Sequence, residues 1–202
     1  MLECEYMKKE RLGFHLVLLG QIASGKDTQA TMLLGKYDFS PVESGKYWRK
    51  LGEEDSKDGE WLRRTTRLGK PAPVALMKRF ILENINNKPK NKDLLFVGNP
   101  RLKPEAQLLK KILTEKKENF FALYITLPDK VIYQRSLRSD RYDDNKKNIV
   151  RRIKWHKDQV SKSVDYFDSL GKLKKINGNQ TVEKVHQDIE KAIFYFKNLN
   201  NK

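Results

Sequence analysis

The chain has 202 residues, a length that predicts one α/β domain with a full hydrophobic core. Hydrophobic residues make up 38% of it, enough for such a core, and the net charge of +16 points to anionic partners: nucleotides, nucleic acid or a membrane surface. The single Cys4 excludes an internal disulfide and has no metal-ligand spacing with the three histidines, which excludes disulfide and zinc frameworks.

Short apolar runs alternate with longer amphipathic stretches, which is typical of βαβ units and a mostly parallel sheet. The predicted strands are 14–19, 39–42, 94–97, 120–126 and 173–176. The predicted helices are 26–36, 59–68, 73–87, 103–117, 129–137, 145–170 and 182–199. Two stretches, 44–79 and 138–144, look inserted between these core units, and we expect both to move.

The strongest local motif follows the first predicted strand and begins the first predicted helix. It reads Gly20-Gln21-Ile22-Ala23-Ser24-Gly25-Lys26-Asp27-Thr28. The two glycines at its ends permit a tight turn whose backbone N–H groups converge on phosphate oxygens, and the helix N-terminus adds positive potential. Lys26 would reach the β and γ phosphates of a nucleoside triphosphate. The sequence therefore predicts a phosphate-binding loop.

This loop and four later motifs resemble the adenylate kinase family. Gly-Lys-Asp-Thr-Gln at residues 25–29 is similar to the family's Gly-Lys-Gly-Thr-Gln. Ser44-Gly45-Lys46-Tyr47-Trp48-Arg49 resembles its Thr-Gly-Asp-x-x-Arg, and Gly69-Lys70-Pro71-Ala72-Pro73 its Gly-x-x-Val-Pro. Gly98-Asn99-Pro100-Arg101 resembles its Gly-Phe-Pro-Arg, and Asp140-Arg141-Tyr142-Asp143-Asp144 its Gly-Arg-x-Asp-Asp. The likeness extends from about residue 14 to about residue 193.

The resemblance implies a particular fold within the α/β class. This is the P-loop NTPase-type three-layer α/β/α arrangement around a central five-stranded parallel sheet. It implies a single kinase domain with a core of about 13–43, 80–137 and 145–199, a helical NMP-binding insertion of about 44–79, and a short lid of about 138–144 without a zinc-holding insert. It also favours a monomer.

The resemblance further implies a reaction in which the γ-phosphoryl of ATP passes to a nucleoside monophosphate, with AMP as the first choice and Mg²⁺ accompanying ATP. It assigns catalytic roles to Lys26, Arg101, Arg141 and Arg152. It assigns ATP binding to Gly20, Ala23, Ser24, Gly25, Lys26, Asp27, Thr28, Arg135, Arg138 and Gln180. It assigns binding of the monophosphate to Ser44, Gly45, Arg49, Ala72, Gly98, Arg101, Glu105, Arg141 and Arg152.

Three of the departures from the family pattern bear on the metal and on the base. The family's Asp before Gly-Phe-Pro-Arg orients waters on magnesium, and Val97 stands there. Asp93 cannot replace it, because four strand residues place it about 13 Å toward the wrong end of the sheet. Asp27, with Thr28 beside it, is our candidate for the magnesium shell, the alternative being that Asp27 only stabilises its helix. Glu105 falls where the family reads the AMP base with Gln; a carboxylate only accepts hydrogen bonds, so adenine, cytosine and guanine all stay open.

Two rival functions follow from the same residues. Val97 favours a nucleotide-binding regulator with weak or no turnover, which would bind without transfer. The charge of +16 favours a P-loop protein acting on nucleic acid, whose polymer binding would depend steeply on salt. The kinase interpretation expects no specific nucleic acid and no membrane partner. The N-terminal segment lacks a long apolar stretch, so we expect a cytoplasmic protein. The three histidines have no spacing that predicts a site role.

Overall fold

The structure is a computed structural model that describes residues 9–66, 72–137 and 146–200. Its strands form one sheet in the order β2-β3-β1-β4-β5, and every neighbouring pair is parallel. They are β1 His15–Gly20, β2 Phe39–Val42, β3 Asp93–Val97, β4 Phe120–Thr126 and β5 Leu173–Asn177. The five-stranded parallel sheet predicted from the sequence is confirmed, and each strand end lies within one residue of its predicted position.

The helices follow the predicted order with two differences. They are α1 Lys26–Lys36, α2 Ser44–Glu53, α3 Lys57–Thr66, α4 Val74–Asn87, α5 Lys103–Glu115, α6 Asp129–Ser136, α7 Lys146–Trp155, α8 Ser161–Ser169 and α9 Val182–Asn200. Helix α2 was not predicted. The single helix predicted over 145–170 was wrong in its middle, because a π-helical turn, His156–Val160, separates α7 from α8.

Helix α2 forms through packing rather than through local propensity. Its sequence contains two glycines and a serine, which are weak helix formers. The rings of Tyr47 and Trp48 lie 4.9 and 5.3 Å from that of Phe80 on α4. Aromatic burial of this kind outweighs the cost of glycines in one short helix.

Hydrophobic cores cover both faces of the sheet, because successive side chains of a strand point to opposite faces. Along β1, Val17 and Leu19 join the core that contains residues of α4, α5 and α8. Leu16 and Leu18 join the core on the other face, which contains residues of α1 and α9. This arrangement confirms the predicted three-layer α/β/α fold.

The strand order places a ligand crevice at the carboxyl ends of the strands. From β1 the chain passes to β2 on one side, and from β4 it passes to β5 on the other. In open α/β sheets, ligands bind beyond the carboxyl ends of two adjacent strands whose connections diverge in this way. The predicted phosphate loop follows β1 directly and therefore lies at this crevice.

The buried side-chain amide of Gln29 fixes the orientation of helix α1. Gln29 donates from Nε2 to the Val182 carbonyl (2.9 Å), and its Oε1 lies 3.1 Å from His186 Nδ1 on α9. Since α1 begins where the phosphate loop ends, these bonds fix the loop's exit relative to α9. None of the helices in the described ranges has the length and apolar character needed to cross a membrane.

At the amino ends of the strands, Asp93 holds the segment that precedes β1, and its side chain is buried (2% exposed). Its Oδ2 accepts hydrogen bonds from the backbone N–H groups of Leu12 (3.1 Å) and Gly13 (2.9 Å). The residue lies at the amino end of β3, away from the loop that follows β1. This placement agrees with the expectation that Asp93 cannot supply a carboxylate to the phosphate crevice.

We expect Asp93→Ala to lower the free energy of unfolding by about 1–3 kcal/mol, because two backbone N–H groups lose their acceptor in a buried region. Urea denaturation measures the change. Asp168→Ala is the matched control, since the Asp168 carboxylate forms an exposed ion pair with Lys175 and its loss should cost under about 1 kcal/mol. Equal losses in the two variants would contradict this role for Asp93.

Candidate active site

The loop between β1 and α1 is closely packed. Gly25 has φ 81° and Ala23 has φ 55°, so both lie in the left-handed region that side chains disfavour. A Cβ atom at Gly20 would clash with Ser24 Oγ, so the glycine is required for the two ends of the loop to approach. Ser24 Oγ is itself buried and has no hydrogen-bond partner within the described ranges. A buried hydroxyl of this kind is available to a ligand oxygen.

Lys26 and Arg101 meet over Gly98. Gly98 has φ +68°, and a Cβ atom there would lie 3.0 Å from Lys26 Cε and 3.9 Å from Arg101 Nη2. Arg101 also donates from Nε to the Gly98 carbonyl (2.8 Å). Two side chains predicted for catalysis are therefore brought together at the carboxyl ends of β1 and β3. An anion bound beside Gly98 would interact favourably with both cations.

Asp27 places a carboxylate beside this pair of cations. Its Oδ2 lies 3.0 Å from Lys26 Nζ, and its side chain is 80% exposed. Among the described residues, no group of three or more His, Cys, Asp or Glu side chains forms a metal site. Magnesium bound to nucleotide phosphates keeps several waters and needs only one or two carboxylates. Asp27 fits such an ion, and the exposed Thr28 follows it on the first turn of α1.

Arg135 on α6 bridges two loops that border the crevice. Its Nη1 lies 3.5 Å from the Ala23 carbonyl, and its Nη2 lies 3.4 Å from the Gly178 carbonyl. Gln180 lies beyond it and donates from Nε2 to the Asn177 carbonyl (2.8 Å). Of these two residues predicted for ATP, Gln180 lies in the loop that follows β5, and Arg135 contacts both that loop and the phosphate loop.

Several of the residues predicted for the monophosphate lie at the start of α2 and just before α4. Ser44 is buried at the start of α2, and the exposed Arg49 lies 3.5 Å by its Nη1 from the position that a Cβ of Gly45 would take. Ala72 is half-buried just before α4. Arg138 and Arg141 lie outside the described residues, as do the whole predicted lid of 138–144 and the side chain of Arg152.

Glu105 has a structural contact that the sequence did not reveal. Its Oε2 accepts hydrogen bonds from the backbone N–H groups of Arg101 (2.8 Å) and Leu102 (3.1 Å), so it caps the start of α5. The residue is 3% exposed, and burial raises the pKa of its carboxyl group, which these hydrogen bonds partly offset. Glu105 therefore holds the backbone of Arg101. Glu three residues after a helix start is a sequence signal that could have shown this cap.

Sequence reasoning also missed His156, which lies in the π-helical turn. Its Nε2 lies 3.2 Å from the carbonyl of Gly20, where the phosphate loop begins. The pKa of His156 is lowered to about 4, chiefly by burial and also by the nearby Arg101 and Lys26, while the bond to Gly20 partly offsets this. A lone histidine in a helical pattern carries no signal of such a contact, because the π-turn that directs it cannot be read from periodicity.

A parallel α/β/α fold with a phosphate loop after β1 defines the class of P-loop nucleotide-binding proteins. A sequence model described as "Adenylate kinase" matches residues 18–172. The chain therefore belongs to the adenylate kinase family.

Individual relatives divide between two activities by name. The chain is 27% identical over 184 residues to "Adenylate kinase" of Bacteroides fragilis (strain YCH46), covering 89% of this chain and 97% of that protein. It is 27% identical over 183 residues to "UMP-CMP kinase" of Rattus norvegicus, covering 86% and 93%. It is 26% identical over 181 residues to "UMP-CMP kinase" of Homo sapiens, covering 85% and 92%.

We expect Gly98→Ala to reduce kcat/KM at least about tenfold, because the added methyl group displaces Lys26 from the phosphates. Gly171→Ala is the matched control: Gly171 has φ +64°, nothing within 4 Å of its Cβ position, and a place before the amino end of β5. Both variants should lose about 1 kcal/mol of stability from the left-handed backbone. Steady-state kinetics at a temperature where both are folded separates the effects. Equal activity of the two variants would contradict the role given to Gly98.

Proposed function

We propose that the protein is a nucleoside monophosphate kinase that transfers the γ-phosphoryl of ATP to AMP, in the reversible reaction ATP + AMP = 2 ADP. The observation that carries the proposal is the meeting of Lys26 and Arg101 over Gly98, at the carboxyl edge of the sheet and next to the phosphate loop. Family membership supports the reaction class, because the matched residues 18–172 include these three.

In the proposed mechanism the reaction is an in-line displacement that needs no covalent intermediate with the protein. An oxygen of the acceptor phosphate forms a bond to the γ-phosphorus, while the bond from that phosphorus to the β–γ bridging oxygen breaks. The acceptor oxygen is largely deprotonated at neutral pH, since the second pKa of a phosphate monoester is about 6. The protein therefore supplies position and charge rather than a nucleophile or a base.

We assign the charges to two sides of the transferred group. Lys26 and the loop backbone hold the phosphates of ATP, and Arg49 and Arg101 hold the acceptor phosphate. Arg141 and Arg152 stabilise the charge on the group in transfer, as the family resemblance implies. Magnesium, when bound with ATP, neutralises charge on the β and γ oxygens.

The choice of AMP rests on the family resemblance, and Glu105 bears on which other bases are accepted. The Oε2 of Glu105 is occupied by two backbone donors, so the carboxylate meets a base through Oε1. An ionised carboxylate accepts hydrogen bonds and donates none, so it suits the exocyclic amino group of adenine or cytosine and opposes the carbonyl of uracil. The carboxylate therefore leaves adenine, cytosine and guanine open and places UMP below them, and AMP comes first through the family resemblance alone. A monomer in the cytoplasm stays a prediction from the sequence.

A second candidate is a nucleotide-binding regulator, and Val97 is the observation that favours it. The residue ends β3 where the family has Asp, so the strand offers no carboxylate to magnesium at this point. Such a protein would bind ATP without transferring its phosphoryl group.

The assay that tests the proposal mixes the protein with ATP, magnesium and AMP, CMP, UMP, GMP or dTMP, and measures ADP and the product diphosphate. We expect the highest kcat/KM with AMP. We further expect Glu105→Gln to raise the use of UMP relative to AMP about tenfold, because the amide keeps an acceptor for the Arg101 and Leu102 N–H groups and gains a donor for the uracil carbonyl.

Lack of transfer to every acceptor, together with measurable ATP binding, would favour the regulator. An unchanged ratio of UMP to AMP use in Glu105→Gln would show that Glu105 reads no base and is only a helix cap.

We expect Asp27→Asn to raise the magnesium concentration needed for half-maximal activity about tenfold, because it removes the one carboxylate beside the ATP phosphates on α1. Asp168→Asn, which changes an exposed carboxylate on α8, is the control and should leave the magnesium dependence unchanged. Titration of activity with magnesium at fixed ATP measures both. If Asp27→Asn matches the wild type, Asp27 serves only the helix N-terminus.

A further inference from the structure

His156 joins the phosphate loop to the helical segment beyond the predicted lid. It is buried, and its Nε2 lies 3.2 Å from the carbonyl oxygen of Gly20, the last residue of β1. A carbonyl only accepts, so Nε2 carries the proton and donates it. The imidazole ring is stacked on Tyr124 of β4, with 6.1 Å between ring centroids and 11° between ring planes. Two contacts therefore fix its orientation.

The backbone at Gly20 is the place where strand becomes loop. The next residue, Gln21, still donates its N–H to the Ile125 carbonyl of β4 (3.0 Å), and the left-handed residues follow within the loop. The hydrogen bond from His156 therefore holds the peptide that joins Gly20 to Gln21, where the last strand hydrogen bond ends and the predicted phosphate loop begins. A shift of this peptide would move the loop N–H groups and, through Gly25, the start of α1 that carries Lys26.

The π-helical turn, His156–Val160, explains how a helical side chain reaches this peptide. A π-turn widens the helix by one residue and changes the direction of the side chains on it, and such turns are frequent at functional sites. Here it interrupts an otherwise continuous helical run from Lys146 to Ser169. The irregular turn thus lies at the point where His156 contacts Gly20.

The charge state of His156 suits this position. Lys26 on α1 and Arg101 before α5 both act on the ring, and Tyr124 and Lys157 are its other titratable neighbours. Burial and these two cations keep the imidazole neutral at neutral pH, with its pKa lowered to about 4. A neutral donor fixes the loop without adding a third positive charge beside Lys26 and Arg101, as a lysine or arginine would.

We propose that His156 is a positioning residue of the phosphate site: it fastens the start of the phosphate loop to the helical run that continues from the lid segment. Since α7 begins at Lys146, directly after the segment predicted as the lid, the same run connects Gly20 with the helix turn that carries Arg152. The position of α7 and the shape of the loop are then coupled through one hydrogen bond. The catalytic meaning of this coupling rests on the proposed kinase function.

The test compares His156→Phe, His156→Gln and His15→Phe. The Phe variant keeps a ring against Tyr124 but loses the donor, and the Gln variant keeps a donor near the position of Nε2. His15 is the matched control, because it is also buried and also bonded to backbone, with the Leu94 N–H donating to its Nδ1 (3.0 Å), but it lies at the amino end of β1. Calorimetric titration with ATP gives Kd, and steady-state kinetics gives kcat and KM, at a temperature where circular dichroism shows each variant folded.

We expect His156→Phe to weaken ATP binding about tenfold and to raise the KM for ATP by a similar factor, the size expected for one lost buried hydrogen bond. His156→Gln should restore the wild-type Kd to within about threefold. His15→Phe should lower the melting temperature and leave Kd and KM unchanged.

Wild-type Kd in the folded His156→Phe variant would overturn the proposal, and so would an equal weakening in His15→Phe. A wild-type protein that binds ATP without transferring phosphoryl to any acceptor would refute the kinase function, while the Kd values would still decide on His156. A wild-type protein that binds no ATP would overturn both.

Discussion

The candidate site depends on Gly98, because the absence of a side chain there lets Lys26 and Arg101 both lie close to its backbone. Lys26 starts α1 and Arg101 precedes α5, and they meet because Gly98 between them has no side chain. A methyl group there would lie 3.0 Å from Lys26 Cε, so the lysine side chain would have to shift. In the proposed function, the attraction between these cations and a bound phosphate would strengthen as water leaves the crevice.

Much of the site's scaffold lies in its backbone contacts. Glu105 holds the N–H groups of Arg101 and Leu102, Gln29 ties α1 to α9, and His156 holds the carbonyl of Gly20. Each of these side chains is buried and polar, and each bonds a backbone group at a strand end or a helix start. Together they hold the loop, the first helix and the backbone of Arg101 in a fixed geometry.

The fold could be predicted from the sequence wherever a repeating pattern was strong. The apolar runs of β1 and β4 and the glycine-framed loop after β1 identify the sheet and the phosphate crevice. Three features could not be predicted in this way. Helix α2 depends on contacts of Tyr47 and Trp48 with a distant Phe80, and the π-turn is a local irregularity inside a helical pattern. The contact of His156 with Gly20 joins residues 136 positions apart, and no local pattern records such a distance.

Strand β3 has a carboxylate at its amino end and none at its carboxyl end, which explains why Asp27 matters to the proposed chemistry. Asp93 lies at the amino end, where its charge is used by the backbone of Leu12 and Gly13. Val97 at the carboxyl end offers none, whereas Asp27 follows the phosphate loop on the first turn of helix α1. An aspartate at this position would repel ATP alone and favour ATP that carries magnesium. With the carboxylate on the helix rather than on the strand, the same helical turn would both select the magnesium complex of ATP and present Lys26.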